Sequence, residues 1–99
     1  MTNSIGGKRM KNRYIVEMTD TFGGEANYCW IHRFVVTAST HRGAMRKVSR
    51  ETGFTARCTM PGDPERWDAV GACVCFFVEF ATDLMIQHYL QDYSNVKEM

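Results

Sequence analysis

The sequence lacks any hydrophobic run long enough to cross a bilayer, and its opening residues, MTNSIGGKRMKNR, contain no apolar segment of the secretory type. It has only two prolines in 99 residues, and its net charge of +1 is close to zero. We therefore expect a cytoplasmic globular protein with no membrane partner. The length fits a single domain. We place that domain at 1–99, with a mobile basic leader at 1–12, an α+β core at 13–81 and a C-terminal helix at 82–96.

The sequence also lacks a catalytic or metal-binding signature. Paired CxxC knuckles are absent, and Cys29 and His32, three residues apart, would point to opposite faces of a strand. Gly23-Gly24 is not followed by the Lys-Ser/Thr pair of a phosphate-binding loop. Without a secretion signal, we expect buried or half-buried free thiols at the four cysteines, Cys29, Cys58, Cys73 and Cys75. We predict a protein that is not an enzyme and holds neither a cofactor nor a metal.

What the sequence does contain is one strongly apolar stretch, Ala72–Phe80, which predicts a strand inside a sheet. Its alternation assigns large apolar residues to a core-facing set: Val74, Phe76, Val78 and Phe80. The other face is mixed and is expected to be only partly covered: Cys73, Cys75, Phe77 and Glu79.

The remaining pattern supplies the other elements of the fold. Alternation predicts strands, turn residues predict a loop, and helical spacing predicts helices. The expected order is strand Arg13–Asp20, strand Tyr28–Ala38, helix His41–Thr52, strand Phe54–Met60, loop Pro61–Gly71, strand Ala72–Phe80 and a helix from Thr82 to Val96. This order predicts an α+β fold: a four-stranded, mainly antiparallel sheet (ββαββ) with one helix packed on a face and an additional C-terminal helix.

The charges are distributed unevenly along the chain. Residues 1–58 contain ten Lys or Arg and four Asp or Glu, whereas residues 59–99 contain two and seven. The basic residues concentrate on the predicted helix His41–Thr52 at Arg42, Arg46, Lys47 and Arg50. Two interpretations stand: a solvated helix face, or a cationic surface that binds a partner.

The segment Asp20–Trp30, which runs through the predicted loop into the second strand, is rich in side chains typical of interfaces. They are Phe22, Glu25, Tyr28 and Trp30. Either these residues contact a partner, or Gly23-Gly24 makes a turn and the aromatic rings close the end of the core. We include all four in the candidate partner-binding site, together with the basic residues of the helix.

The string DTFGGEANYCW, followed some forty residues later by GACVCFFVE, resembles small proteins of bacteriophages and prophages over roughly Arg13 to Phe80. The resemblance implies an accessory phage protein, a class that includes inhibitors of host machinery and of host defence such as anti-CRISPR proteins. It assigns no role to individual residues.

We therefore expect a non-enzymatic binding protein that blocks a host protein or ribonucleoprotein complex. One alternative is direct binding of RNA or single-stranded DNA, with Trp30, His32 and Phe77 lining an open sheet face beside the basic helix. Another is a homodimeric structural module joined through the C-terminal helix.

Overall fold

The computed structural model describes residues 11–21 and 30–99, and these ranges form six strands and two helices. In chain order the elements are β1 (Asn12–Asp20), β2 (Ile31–Ala38), α1 (His41–Thr52), β3 (Ala56–Met60), β4 (Glu65–Ala69), β5 (Val74–Ala81), α2 (Asp83–Asp92) and β6 (Val96–Glu98). The α+β class predicted from the sequence is confirmed. Neither helix in these ranges has the length and apolarity to cross a membrane.

The described strands form one sheet in the order β3-β4-β5-β1-β2-β6. Neighbouring strands are antiparallel except β2 and β6, which run parallel. The prediction of a four-stranded, mainly antiparallel sheet is therefore wrong, because the sheet has six strands and is mixed. The two strands that the sequence did not predict are β4 and β6.

Strand β4 lies in the segment for which the sequence predicts a loop. Turn-forming residues precede it, and three of its five residues are charged. Its alternation nevertheless buries Trp67 on one face, while Arg66 and Asp68 form an ion pair on the other. Pairing with β5 places Trp67 opposite Phe76, so tertiary contacts stabilise a strand that local propensity does not favour.

Strand β6 replaces the last turns of the predicted C-terminal helix. Helix α2 ends at Asp92, and Tyr93 follows in an extended conformation. Val96 has helical spacing relative to Ile86, but it reaches the same apolar cluster from a strand that pairs with β2. The prediction that this helix continues to Val96 is therefore wrong.

Helix α1 covers one face of the sheet and has the bounds that the sequence predicts. Thr40 caps its N-terminus, because Thr40 Oγ1 accepts a hydrogen bond of 2.9 Å from Gly43 N–H. Gly53, at φ 83°, ends the helix in the left-handed conformation. The predicted apolar stripe is buried and comprises Ala44, Met45 and Val48. It packs on alternate residues of the central strands: Tyr14, Val16, Met18, Phe34, Val36, Val74, Phe76 and Val78.

Strand β5 lies between β4 and β1, inside the sheet as its composition predicts. Phe80 is the exception to its predicted core-facing set. This side chain is 41% exposed and makes an edge-on ring contact with Tyr14 at 6.0 Å. Phe80 lies near the end of β5. Its backbone N–H donates a hydrogen bond to the carboxylate of the turn residue Asp63, and its side chain remains outside the core.

The cysteines in the described ranges are free thiols, at Cys58, Cys73 and Cys75. Cys75 is buried and Cys58 is half-buried, as expected. Cys73 is exposed, contrary to expectation, because β5 begins one residue later, at Val74. Cys29 lies outside the described residues.

Helix α2 covers part of the opposite sheet face. Ile86 packs there against Ile15, Val35 and Ala81, from β1, β2 and β5. Tyr89 adds a polar contact, since its hydroxyl donates a 2.7 Å hydrogen bond to the Glu17 carboxylate. Within the described residues, this second apolar cluster does not extend to β3 or β4. The prediction that the second face is only partly covered agrees with this arrangement.

The two edges of the sheet differ in length. Strand β6 forms one edge with three residues, and Met99 extends the pairing with β2 by two backbone hydrogen bonds. Strand β3 forms the other edge with five residues, but its register with β4 breaks between Cys58 and Met60. The longer edge is therefore interrupted by a bulge.

Candidate functional site

Three arginines form a continuous stripe along α1. Arg42, Arg46 and Arg50 are four residues apart, so each successive residue advances about 6 Å along the axis and about 40° around it. All three are exposed. We call Arg42, Arg46 and Arg50 the arginine ridge. Like charges at this spacing cost a few tenths of a kcal/mol per pair, so the helix does not gain stability from the ridge.

The arginine ridge forms one wall of a groove of about 390 Å³ on the α1 face of the sheet. The helix reaches this groove through Met45 and Ser49, and β3 and β4 form its other side through Ala56 and Trp67. The turn after the helix closes one end with Gly53, Phe54 and Thr55. Because Phe54 also packs edge-on against Phe76 of the core, at 6.2 Å, this end of the groove is fixed.

Trp67 links the groove to the core. It is 8% exposed, and its indole N–H donates a 2.8 Å hydrogen bond to the Glu65 carboxylate. The Arg42 guanidinium lies 5.8 Å from the centre of the Trp67 ring, within cation–π distance. Trp67 therefore positions the first arginine of the ridge. Its burial leaves little ring surface on which a nucleotide base could stack.

Among the residues that the structure describes, the ridge has no acidic partner. In the ranges 11–21 and 30–99, ion pairs engage Arg13, Arg33, His41, Arg66 and Lys97, but none engages Arg42, Arg46 or Arg50. The one acidic residue of α1, Glu51, forms an ion pair with Lys97 instead. The groove therefore presents to solvent three positive charges that no described acidic residue compensates.

Lys47, predicted as part of the same binding site, is not brought together with the three arginines and does not line this groove. Its ammonium donates a 2.5 Å hydrogen bond to the Thr37 carbonyl of β2. Strand β2 lies on the other side of α1 from β3 and β4, because β5 and β1 lie between. The helical sequence places Lys47 next to Arg46, but the two side chains project to opposite flanks of the helix.

The structure does not bring Trp30 together with the ridge. Trp30 precedes β2, is 39% exposed and contacts the His32 ring at 5.3 Å. Its carbonyl accepts a 2.7 Å hydrogen bond from the Thr19 hydroxyl. Three strand spacings, about 14 Å, separate β2 from β4. The other loop residues of the predicted site lie outside the described residues: Phe22, Glu25 and Tyr28.

The open aromatic sheet face expected for a binder of single strands is also not formed. His32 pairs with Met18 on the face that α1 covers, whereas Phe77 pairs with Glu17 on the face that carries α2. The expectation that Trp30, His32 and Phe77 share a face is therefore wrong, because His32 and Phe77 lie on opposite sides of the sheet.

A second polar feature lies at the start of α1. His41 Nε2 donates to Asp63 Oδ1 at 2.7 Å, and Phe80 N–H donates to the same oxygen at 2.7 Å. Burial alone would raise the pKa of Asp63, but these two hydrogen bonds and the charge of His41 hold it below its ordinary value. The contact joins α1 to the turn before β4. Over the described residues, His, Cys, Asp and Glu side chains form no group of three that could hold a metal ion.

Trp67 lines the groove but does not belong to the site predicted from the sequence. The signal was present as an alternation in which Glu65, Trp67 and Ala69 share one face and Arg66 and Asp68 the other. The turn residues before this segment and its charges favour a loop. The predicted site therefore contains the helical wall of the groove but not the side that β3 and β4 form.

Comparison with protein-family models finds no match, and comparisons with curated proteins and with solved structures find none either.

Proposed function

We propose that the protein is a non-enzymatic binding protein that attaches to an anionic surface of a larger complex through the arginine-ridge groove. The observation that carries this proposal is the set of three exposed arginines with no acidic partner in the described ranges. An incoming carboxylate or phosphate would gain charge-assisted hydrogen bonds without displacing an internal ion pair.

The nature of the partner follows from two further considerations. The resemblance to small phage proteins favours a host complex that handles nucleic acid or acts in defence, which the bound protein would block. The net charge of +1 favours a local, directed contact over general attraction to nucleic acid. We therefore propose an acidic protein surface of such a complex as the target.

Capture from a bacterial lysate tests this proposal when the lysate is first treated with nuclease. The tagged wild-type protein is compared with the triple variant Arg42→Glu/Arg46→Glu/Arg50→Glu. Arg46→Glu is compared in addition with Arg57→Glu, a control with the same change in charge, because Arg57 is also exposed but projects from β3 on the same face as its pairing partner, Asp68, away from α1.

We expect the wild type and the control to retain the same partner and the triple variant to lose it. Three exposed ion pairs of about 0.5 kcal/mol each give a loss of at least about tenfold in affinity. Equal thermal melting of all four proteins would show that the fold is intact. Retention of the partner by a folded triple variant would exclude the ridge as the binding surface.

Direct binding of a nucleic-acid backbone is the second candidate, favoured by the regular spacing of guanidinium groups along the groove. A labelled oligo(dT), with no protein present besides this one, distinguishes the two functions. Binding that falls steeply with salt and is lost in the triple variant would favour nucleic acid. Absence of binding at the salt concentration used for capture would favour the protein partner.

A further inference from the structure

A second groove lies on the opposite face of the sheet, between α2 and β5. It has a volume of about 440 Å³ and is lined on the helix side by Leu84, Met85 and His88. Leu84 is 63% exposed and Met85 is 40% exposed. Helix α2 otherwise covers a core, yet these two adjacent apolar side chains are exposed. Exposed apolar patches of this kind are typical of a surface that binds a partner.

This groove continues into a smaller pocket of about 310 Å³. The two cavities share Ile15, Glu79 and Tyr89. Phe77 and Tyr89 supply aromatic surface to the pocket, and Glu17 and Glu79 supply two carboxylates. Aromatic rings combined with carboxylates are suited to an ammonium or guanidinium group, because a cation interacts favourably with both.

The two carboxylates differ in their partners. Glu17 accepts the Tyr89 hydroxyl at 2.7 Å and lies 3.6 Å from Arg33 Nε. The Glu79 carboxylate, by contrast, forms no hydrogen bond or ion pair with any residue that the structure describes. Partial burial, followed by the charges of Asp63 and Glu17, raises its pKa. Glu79 is therefore a half-buried carboxylate whose charge is not compensated by any residue in 11–21 or 30–99.

The nearby cations do not change the sign of this surface. Arg66, beside Phe77, forms an ion pair of 3.1 Å with Asp68. Arg33 lies over the Tyr93 ring at 3.9 Å. Helix α2 contains no lysine or arginine and carries an aspartate at each end. The helical wall of the groove thus combines the apolar Leu84 and Met85 with His88 and Asp92, and the pocket is negative.

We propose that this groove binds a basic amphipathic segment of a partner protein. Apolar side chains of that segment contact Leu84 and Met85, and one lysine or arginine enters the pocket between Phe77 and Tyr89 to pair with Glu79. A second copy of this chain fits poorly, because a symmetric contact of two α2 helices would bring their aspartates together. The surface is separate from the arginine ridge and has the opposite charge.

The test uses two synthetic helical peptides with the same apolar pattern of leucines, one with lysines and one with glutamates at the polar positions. Each is titrated into the full-length isotope-labelled protein and followed by amide NMR shifts. We expect the Leu–Lys peptide to shift resonances of α2 and of residues around Glu79, and the Leu–Glu peptide to leave them unchanged.

Two variants identify the contacts. Glu79→Gln removes the uncompensated carboxylate and is expected to weaken Leu–Lys binding about tenfold. Leu84→Ala/Met85→Ala, at exposed positions that leave the core unchanged, is expected to weaken it to a similar extent. The matched control is Glu51→Gln, which removes the same charge from α1, on the other sheet face, and should change the affinity less than twofold.

Three results would overturn the proposal: no shift with the Leu–Lys peptide, equal binding of both peptides, or equal effects of Glu79→Gln and Glu51→Gln. Sedimentation supplies a fourth, because a wild-type dimer that Leu84→Lys dissociates would show that a second copy covers the groove. The arginine-ridge triple variant should still bind the Leu–Lys peptide, so failure here is distinguishable from failure of the proposed function.

Discussion

Replacement of Lys47 by methionine tests whether this residue is structural while its neighbour Arg46 is part of a binding surface. The Lys47 ammonium donates to the Thr37 carbonyl at 2.5 Å. The backbone N–H of Thr37 donates to the Met99 carbonyl. The N–H and C=O of one strand residue point to the same side, so the Thr37 carbonyl also faces the β6 edge of β2. Methionine retains an unbranched apolar side chain but leaves this carbonyl without its charged donor.

The expected loss follows from the burial of the contact. A hydrogen bond from a charged donor contributes about 1.5–3 kcal/mol when it is well shielded, whereas an exposed ionic contact contributes about 0.2–1 kcal/mol. Lys47 is half-buried. We therefore expect Lys47→Met to lower the free energy of unfolding by about 1 kcal/mol, which corresponds to a decrease in Tm of about 4–8 °C for a domain of this size.

Urea unfolding followed by tryptophan fluorescence measures this difference, with Arg46→Met as the matched control. Arg46 forms no ion pair within the described ranges, so its replacement should change the free energy of unfolding by less than about 0.5 kcal/mol. Equal losses in the two variants, or no loss in Lys47→Met, would refute the division between structural and binding residues on α1.

Three further outcomes are expected. Gly53→Ala should lower the free energy of unfolding by about 1 kcal/mol in the same urea assay, because φ is 83° and strains any side chain even though the space around it is open. Since the pKa of Asp63 is lowered in the folded state, its contribution to stability is present above the ordinary value of 3.8 and is lost as the pH falls below it. Acid unfolding of Asp63→Asn should therefore depend less steeply on pH than that of the wild type, and equal slopes would contradict the His41 contact. Burial, followed by the hydrogen bond to Glu17, raises the pKa of Tyr89 far above its ordinary value. The alkaline tyrosinate absorbance of Tyr89→Phe should therefore match that of the wild type until the chain unfolds, and a smaller amplitude in the variant would contradict this.

The elements that the sequence predicts well are those whose signals are local. Helix α1 has a capping threonine, a stripe of three buried residues and a terminal glycine within fifteen residues, so its bounds follow from sequence alone. Strands β1 and β5 are each long and alternate clearly, and they form the centre of the sheet. The error in strand number comes from two short segments.

Strands β4 and β6 could not be predicted from local pattern because distant residues stabilise them. Trp67 makes β4 a strand by packing with the core beneath α1, and Val96 makes β6 a strand by joining the cluster around Ile86. Their own sequences favour a loop and a helix, respectively. Such short segments adopt the structure that their tertiary contacts require.

The candidate site was predictable only where its signal is local. The four-residue spacing of Arg42, Arg46 and Arg50 fixes a common stripe on any helix. The packing of α1 on the sheet decides which flank of the helix faces β2. This orientation separates Lys47 from the ridge. The second groove depends on the pocket around Glu79, which forms where α2 meets β5, and no local pattern indicates such a contact.

The break in register on strand β3 has a consequence for crowding at high concentration. A straight strand from another molecule could form hydrogen bonds along only part of this border before the irregularity at Cys58–Met60 displaced it. Arg57, repeated on each molecule, would add electrostatic repulsion to that misfit. The β3 edge of the sheet is thus poorly suited to edge-to-edge pairing with the sheet of another molecule.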